Sequence, residues 1–286
     1  MIDSGGSIFS GRTASIASMH KKHEAIAPIL SEELKVNAFW EFEIDTDALG
    51  TFSGEVERKN DPKSTAIQKC KLGLEMSGLD LGIATEASFG PHPSIAWVGA
   101  HQEIVVLVDV KNDLIISESI LTLDTNFNHR LVSGERELLT FLEQCKFPSH
   151  GVILIGQSNN ERKEIVKNLN NESDLLDCFR SMRNRNLMVS AETDMRAMNN
   201  PTRMRVIEDA TRKLCQKAKS VCPNCRTSGF GDFELVPGLP CFNCLLPTES
   251  PLFKKIRCAK CQFEVEQKFP FGKTNEDPMY CNFCNP

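Results

Sequence analysis

The stretch VCPNCRTSGFGDFELVPGLPCFNCLLPTES (221–250), continued by PLFKKIRCAKCQFEVEQKFPFGKTNEDPMYCNFC (251–284), decides how the C-terminal part of this chain folds. It carries four Cys-x-x-Cys turns: Cys222/Cys225, Cys241/Cys244, Cys258/Cys261 and Cys281/Cys284. Eight thiols supply two complete tetrahedral sulfur cages, and zinc is the metal such cages suit best. A closed four-sulfur site leaves no position for water, so both ions read as structural rather than catalytic. Fifteen residues separate Cys225 from Cys241 and nineteen separate Cys261 from Cys281. Both gaps fall in the zinc-ribbon range of roughly 15–20 residues. The thirteen between Cys244 and Cys258 fall outside it. The spacing therefore favours pairing the first turn with the second and the third with the fourth. An interleaved, cross-braced arrangement is the alternative.

The residues between the turns read as β-hairpins. Phe230, Phe233, Leu235 and Val236 precede Pro237-Gly238, and Phe263, Val265 and Gln267 alternate with polar neighbours. So few aliphatic side chains cannot bury a large core, and small domains of this kind need a staple. Disulfides are the rival staple. The opening MIDSGGSIFSGRTASIASMH lacks a continuous apolar stretch, so no secretory signal is visible and a reducing cytoplasm is expected. Cys70, Cys145, Cys178 and Cys215 are scattered among helical patterns and read as small buried side chains.

The chain of 286 residues is 41% hydrophobic and 25% charged, with net charge −5, an ordinary composition for a main domain plus a small one. No apolar run reaches the roughly eighteen residues of a membrane span. Between Arg180 and Lys219 ten basic residues face four acidic ones, whereas the cysteine-rich tail is balanced. That basic stretch suits phosphate or nucleic acid, or a solvated helix face.

Upstream, strands alternate with helices, which predicts a layered α/β domain. Thr13–Ala17 reads as a strand, 20–34 as a helix and Asn37–Ile44 as a strand. Asp61-Pro62 opens a helix that ends near Gly78. Leu81–Thr85, Ile104–Asp109 and Leu114–Leu121 read as strands, the last two as a hairpin. Glu135–Cys145 reads as a helix, Val152–Ile155 as a strand, and Asn160–Leu169 and Asp174–Met182 as helices. Asn200-Pro201 starts a last helix that runs to about Lys219. The expected domains are 1–190 (α/β), 191–219 (polar junction and basic helix) and 220–286 (double zinc ribbon).

Polar residues collect at four places. Lys21 and Lys22 lie in the Ser18–His23 turn between a strand and a helix, where an anion is favoured. Glu55 follows Asp45, Asp47, Gly50 and Gly54. Glu86 opens an expected loop, Thr85–Pro93, directly after a strand. Glu192, Asp194, Arg196 and Arg203 either line a ligand site at the domain junction or form a salt-bridged hinge between the two halves. Acids near lysines at strand–helix junctions suit Mg²⁺-assisted phosphate chemistry, with Glu55 and Glu86 as catalytic carboxylates and Lys21 and Lys22 as phosphate contacts. No Walker A loop, dinucleotide fingerprint or nucleophile elbow is present. The competing class is a non-enzymatic module that binds protein or nucleic acid through the ribbons and the basic helix.

The run ETDMRA…NPTRMRVI, followed by CPNC, PGLPCFNC, CAKC and CNFCNP, resembles a bacterial family called domain of unknown function 6671. ASMHKKHEAIAPIL, DTDALGTFSGEVER, GLDLGIATEASFGPHP and DTNFNH extend the resemblance over nearly the whole chain. It implies a bacterial soluble protein and no particular activity. Leu245 stands where ribbons more often carry glycine. A second similarity is to inosine-triphosphatase-like pyrophosphatases. Their order of features places Lys21 or Lys22, Glu55, Lys69 and Glu86 in the site, although their Asn-rich opening and base-recognition motif are absent here.

Overall fold

A computed structural model of the protein describes residues 7–40, 61–158 and 161–286. They form two compact units. One is Phe9–Cys215; the other contains Gln216–Pro286 with Ser7 and Ile8.

The first unit contains two sheets. The larger has strand order β2-β1-β3-β4-β5, with β1 Thr13–Ala17, β2 Asn37–Trp40, β3 Leu81–His92, β4 Ile95–Asp109 and β5 Leu114–Thr122. β1 runs parallel to both β2 and β3, and β3, β4 and β5 form an antiparallel meander. Helix α1 (His23–Leu34) links β1 to β2, and α2 (Pro62–Ser77) precedes β3. The Asp61 carboxylate accepts from the Lys63 and Ser64 amides, Pro62 fills the first turn, and Gly78 closes the helix at φ 68°. Ala66, Cys70 and Leu74 of α2 pack on Ala17, Ala84, Ile104, Val106 and Val108.

The smaller sheet has order β6-β9-β7-β8: β6 His129–Val132, β7 Val152–Ser158, β8 Glu161–Val166 and β9 Met188–Thr193. Helices α3 (Glu135–Gln144) and α4 (Glu172–Asn184) cover it through Leu138, Phe141, Leu142, Leu175, Phe179 and Met182. Helix α5 (Pro201–Lys219) follows. The Asn200 side chain accepts from the Arg203 amide, as an N-cap should.

Three sequence readings change, and part of a fourth falls outside the described residues. The stretch 85–93 is not a loop, because β3 continues to His92 in a long hairpin with β4. The segment expected to be a helix over 160–169 contains β8, paired antiparallel with β7. There the hairpin partner overrides the helix preference of Glu, Arg and Lys. The short strands β6 and β9 were not anticipated. Of the strand expected over 37–44, residues 37–40 are β2 and the rest lies outside the described residues.

In the second unit β10 (Phe233–Pro237), β11 (Pro251–Arg257) and β12 (Glu264–Lys268) form an antiparallel meander. No helix among the described residues is long and apolar enough to cross a membrane.

Candidate functional site

In an open sheet with parallel strands, a crevice forms at their carboxyl ends wherever successive connections leave in opposite directions. β1 is such a point. The chain leaves it through α1 to β2 on one side, then crosses through α2 to β3 on the other. Strand alternation assigns the faces. The Ser15 hydroxyl donates to the Gly73 carbonyl of α2. A Cβ at Gly82 would sit 2.8 Å from the Cys70 sulfur of the same helix. Ser15, Ala17, Gly82, Ala84 and Glu86 therefore face α2, and Ile16, Ile83 and Thr85 face the other side.

Charged side chains meet on both faces of this end. On the α2 face, Lys69 Nζ lies 2.7 Å from Glu86 Oε2, with both side chains buried. On the opposite face Lys22, just before α1, donates to Thr85 Oγ1 at 3.0 Å and to the Thr85 carbonyl at 3.3 Å. Further along that face, Glu103 (opposite Ala87) and His101 (opposite Phe89) lie 2.9 Å apart through His101 Nε2 and Glu103 Oε2. Arg203 of α5 reaches Glu103 at 3.1 Å and donates to the Met195 carbonyl at 2.6 Å. Its guanidinium also lies 5.5 Å from the centroid of the Phe89 ring.

Electrostatics follow from this geometry. Burial lowers the Lys22 ammonium to about 8, and Arg203 adds to the push. Burial alone would raise Glu103, but Arg203, His101 and Lys22 together hold it well below the usual carboxylate range. The turn that delivers Lys22 is strained: His20 and Lys21 both adopt left-handed backbone, at φ 64° and 59°. Each costs on the order of 1–2 kcal/mol for a residue with a side chain. Such strain gathers at functional sites. Beside it His23 stacks on Trp40 with ring centroids 3.5 Å apart.

The Lys22 ammonium has a measurable signature. Between about 8 and its ordinary 10.5 the unfolded chain binds a proton that the folded chain does not. Stability should therefore rise with pH across that window, by roughly 3 kcal/mol at 1.36 kcal/mol per unit. Urea unfolding of the wild type and Lys22→Met at pH 7.5 and 10 should show the rise in the wild type and a flatter response in the variant.

The other sequence-derived residues sit differently. Lys21 is exposed and lies 4.0 Å from Glu24, outside the buried group. Glu55, with Asp45, Asp47, Gly50 and Gly54, lies outside the described residues. Glu192 lies on β9, 3.7 Å from Arg162. Asp194 is buried and accepts from the Arg196 guanidinium (2.6 Å) and from Asn199 (2.8 Å), which holds it below the usual range despite burial. Asp194 and Arg196 are thus tied to each other in the turn before α5. Sequence reasoning overlooked His101 and Glu103. Their signal was a histidine and a carboxylate two residues apart, on one face of a strand, directly before the apolar run IVVLV (104–108).

The sulfurs form two separate groups, Cys222, Cys225, Cys258 and Cys261, and Cys241, Cys244, Cys281 and Cys284. The pairing is therefore interleaved, first turn with third and second with fourth, rather than consecutive. The meander explains this. Phe233 of β10 lies opposite Ile256 of β11, and Arg257 opposite Glu264 of β12. The turns before β10 and between β11 and β12 therefore share one end of the sheet. The other two turns share the opposite end. Cys222–Cys261 and Cys225–Cys258 are 3.7 Å apart, and Cys241–Cys284 and Cys244–Cys281 are 3.8 and 3.6 Å apart. A tetrahedron with metal–sulfur bonds of about 2.3 Å has edges of about 3.8 Å. Each group is thus shaped for one metal ion.

The profile of the family described as Domain of unknown function (DUF6671) matches residues 69–286, taking in both cages and the strands and helix that carry Glu86, Glu103 and Arg203. The chain belongs to this family. No curated protein matches it. The DUF6671 match begins at Lys69, so β1, α1 and Lys22 precede it.

Proposed function

We propose that the Phe9–Cys215 unit hydrolyses a phosphorylated small molecule, with nucleotides the first substrates to try, and that two zinc ions hold the Gln216–Pro286 unit. The observation carrying the hydrolase reading is the burial of Lys22, Lys69, Glu86, Glu103 and Arg203 around the carboxyl end of β1 and the adjoining middle of β3 and β4. Buried charge is costly even when paired, and its concentration beside a strand-order switch point supports reading this place as a working site.

In this reading Lys22 and Lys69 neutralise phosphate oxygens, and Glu103 fixes Arg203 beside them. Glu86 supplies a carboxylate for a divalent cation, and Glu55 is its proposed second ligand. When bound, Mg²⁺ would offset charge on the phosphate and orient the attacking water. The basic run favours this reading over a nucleic-acid module, because much of it is already committed to ion pairs. Arg180 pairs with Glu135 and Asp177, Arg185 with Glu164, Arg196 with Asp194, Arg203 with Glu103, and Lys217 with Asp232.

The test is phosphate release from a panel of nucleoside triphosphates and phosphate esters with Mg²⁺. We expect turnover that falls by about a hundredfold or more in Lys22→Ala and Glu86→Gln, a loss of about 3 kcal/mol of transition-state stabilisation. Release that is absent across the panel, or unaffected by both changes, rejects the proposal.

A further inference from the structure

The two cages share one scaffold, so each serves as a control for the other. At the first, the turns read Cys-Pro-Asn-Cys-Arg-Thr (222–227) and Cys-Ala-Lys-Cys-Gln-Phe (258–263). At the second they read Cys-Phe-Asn-Cys-Leu-Leu (241–246) and Cys-Asn-Phe-Cys-Asn-Pro (281–286). The residue after the closing cysteine is left-handed in three turns: Arg226 at φ 59°, Gln262 at 61° and Leu245 at 61°. The first cage fills this position with polar side chains. The second has Asn285 after Cys284 but Leu245 at its left-handed position, and Leu245 gains nothing from burial there because it is 69% exposed. Phe242 is 73% exposed and Phe283 66% exposed, and Leu246, Met279 and Tyr280 are exposed beside them. Metal binding requires none of these side chains, as the first cage demonstrates. The large apolar residues therefore ring the second metal position and stay exposed among the described residues.

Charge restricts what can cover them. No Lys or Arg occurs in 240–253 or 274–286, where Glu249 and Asp277 are exposed. Nearby Lys273 is engaged by Glu276 at 2.6 Å. A metal dication held by four thiolates adds a further net charge of about −2. Within 240–253 and 274–286 an anionic membrane or a nucleic acid meets exposed acids and no cation, and the one lysine beside them, Lys273, is already paired. A second copy of the chain would set acid against acid.

We propose that the rim of the Cys241/Cys244/Cys281/Cys284 cage is a docking surface for a basic amphipathic segment of a partner protein, with apolar side chains seated on Phe242, Leu245 and Phe283. The inference is independent of the hydrolase reading.

It can be tested on the zinc-loaded full chain with two labelled helical peptides. Both carry leucines at i, i+3, i+4 and i+7; one has lysines and the other glutamates at the remaining positions. By fluorescence anisotropy the lysine peptide should bind, and the glutamate peptide should bind at least about tenfold more weakly. Phe242→Ser with Phe283→Ser should weaken the lysine peptide by about tenfold or more while both zinc equivalents are retained. Lys260→Ser at the first cage should leave binding unchanged. Equal binding of the two peptides, or an unaffected double variant, overturns the proposal. It is also overturned by self-association or anionic-vesicle binding that disappears in the double variant.

Discussion

Chelation of the metal ions is expected to unfold Gln216–Pro286 while the Phe9–Cys215 unit keeps its structure. The reason is the poverty of the core. Apart from four cysteines, the buried hydrophobic residues among the described residues of the second unit are Ala218 and Leu239. At about 25 cal/mol per Å², two such side chains contribute only a few kcal/mol. Structural zinc in small domains contributes on the order of 10–16 kcal/mol, more than the whole stability of most domains of this size. A chelator titration followed by amide resonances should lose the dispersed signals of the C-terminal unit alone. Dispersed signals from that unit that persist with no bound metal would refute the claim. The interleaved pairing has its own signature. Cys225→Ser with Cys261→Ser damages one cage and should leave about one zinc equivalent. Cys225→Ser with Cys244→Ser damages both and should leave none. Consecutive pairing would give the reverse result.

This result separates what residue spacing can reveal from what it cannot. The eight ligands were legible because Cys-x-x-Cys is local: two sulfurs one turn apart need only a tight loop. Their grouping was not, because gap lengths were compared with ribbons in which neighbouring turns pair. Here each gap is filled by a strand of a meander, so consecutive turns fall at opposite ends. The hairpin pattern around Phe233–Val236 and Phe263–Gln267 already contained that information, had strand direction been followed instead of gap length. The α/β unit behaves similarly. α2 announced itself through Asp61, Pro62 and Gly78, all local signals. β8 did not, since its Glu, Arg and Lys residues become a strand only by pairing with β7. In the site, Lys22 stands just past β1, where polar residues attract notice, and Glu86 drew attention only because β3 was expected to end at Thr85, whereas it runs on to His92. Glu103 lies inside a strand, and nothing local indicates that its partner is Arg203, a hundred residues later.

Arg203→Met should cause the largest stability loss of any single change in the first unit. Glu103 is fully buried, and Arg203 is nearly so, with 7% of its side chain exposed. Removing one partner of a buried pair leaves an uncompensated charge, at a cost of about 3–5 kcal/mol. Replacing both partners with apolar residues of similar size, Arg203→Met with Glu103→Leu, should recover much of that loss. The dependence on pH gives a sharper criterion. In the wild type Glu103 titrates below its ordinary 4.5, so its contribution is present above that value and is lost as pH falls through the folded pKa. Without Arg203 only His101 and Lys22 oppose the upward push of burial, so the folded pKa moves up from its wild-type position. The variant then forgoes the Glu103 contribution at every pH above that raised pKa, and the gap from wild type closes as pH falls below it. The gap should accordingly be widest at neutral pH and narrow on acidification, as read from urea unfolding midpoints. A gap that stays the same size from pH 7 down to the onset of acid unfolding would mean that Arg203 acts through packing and its bond to Met195, not through the Glu103 carboxylate.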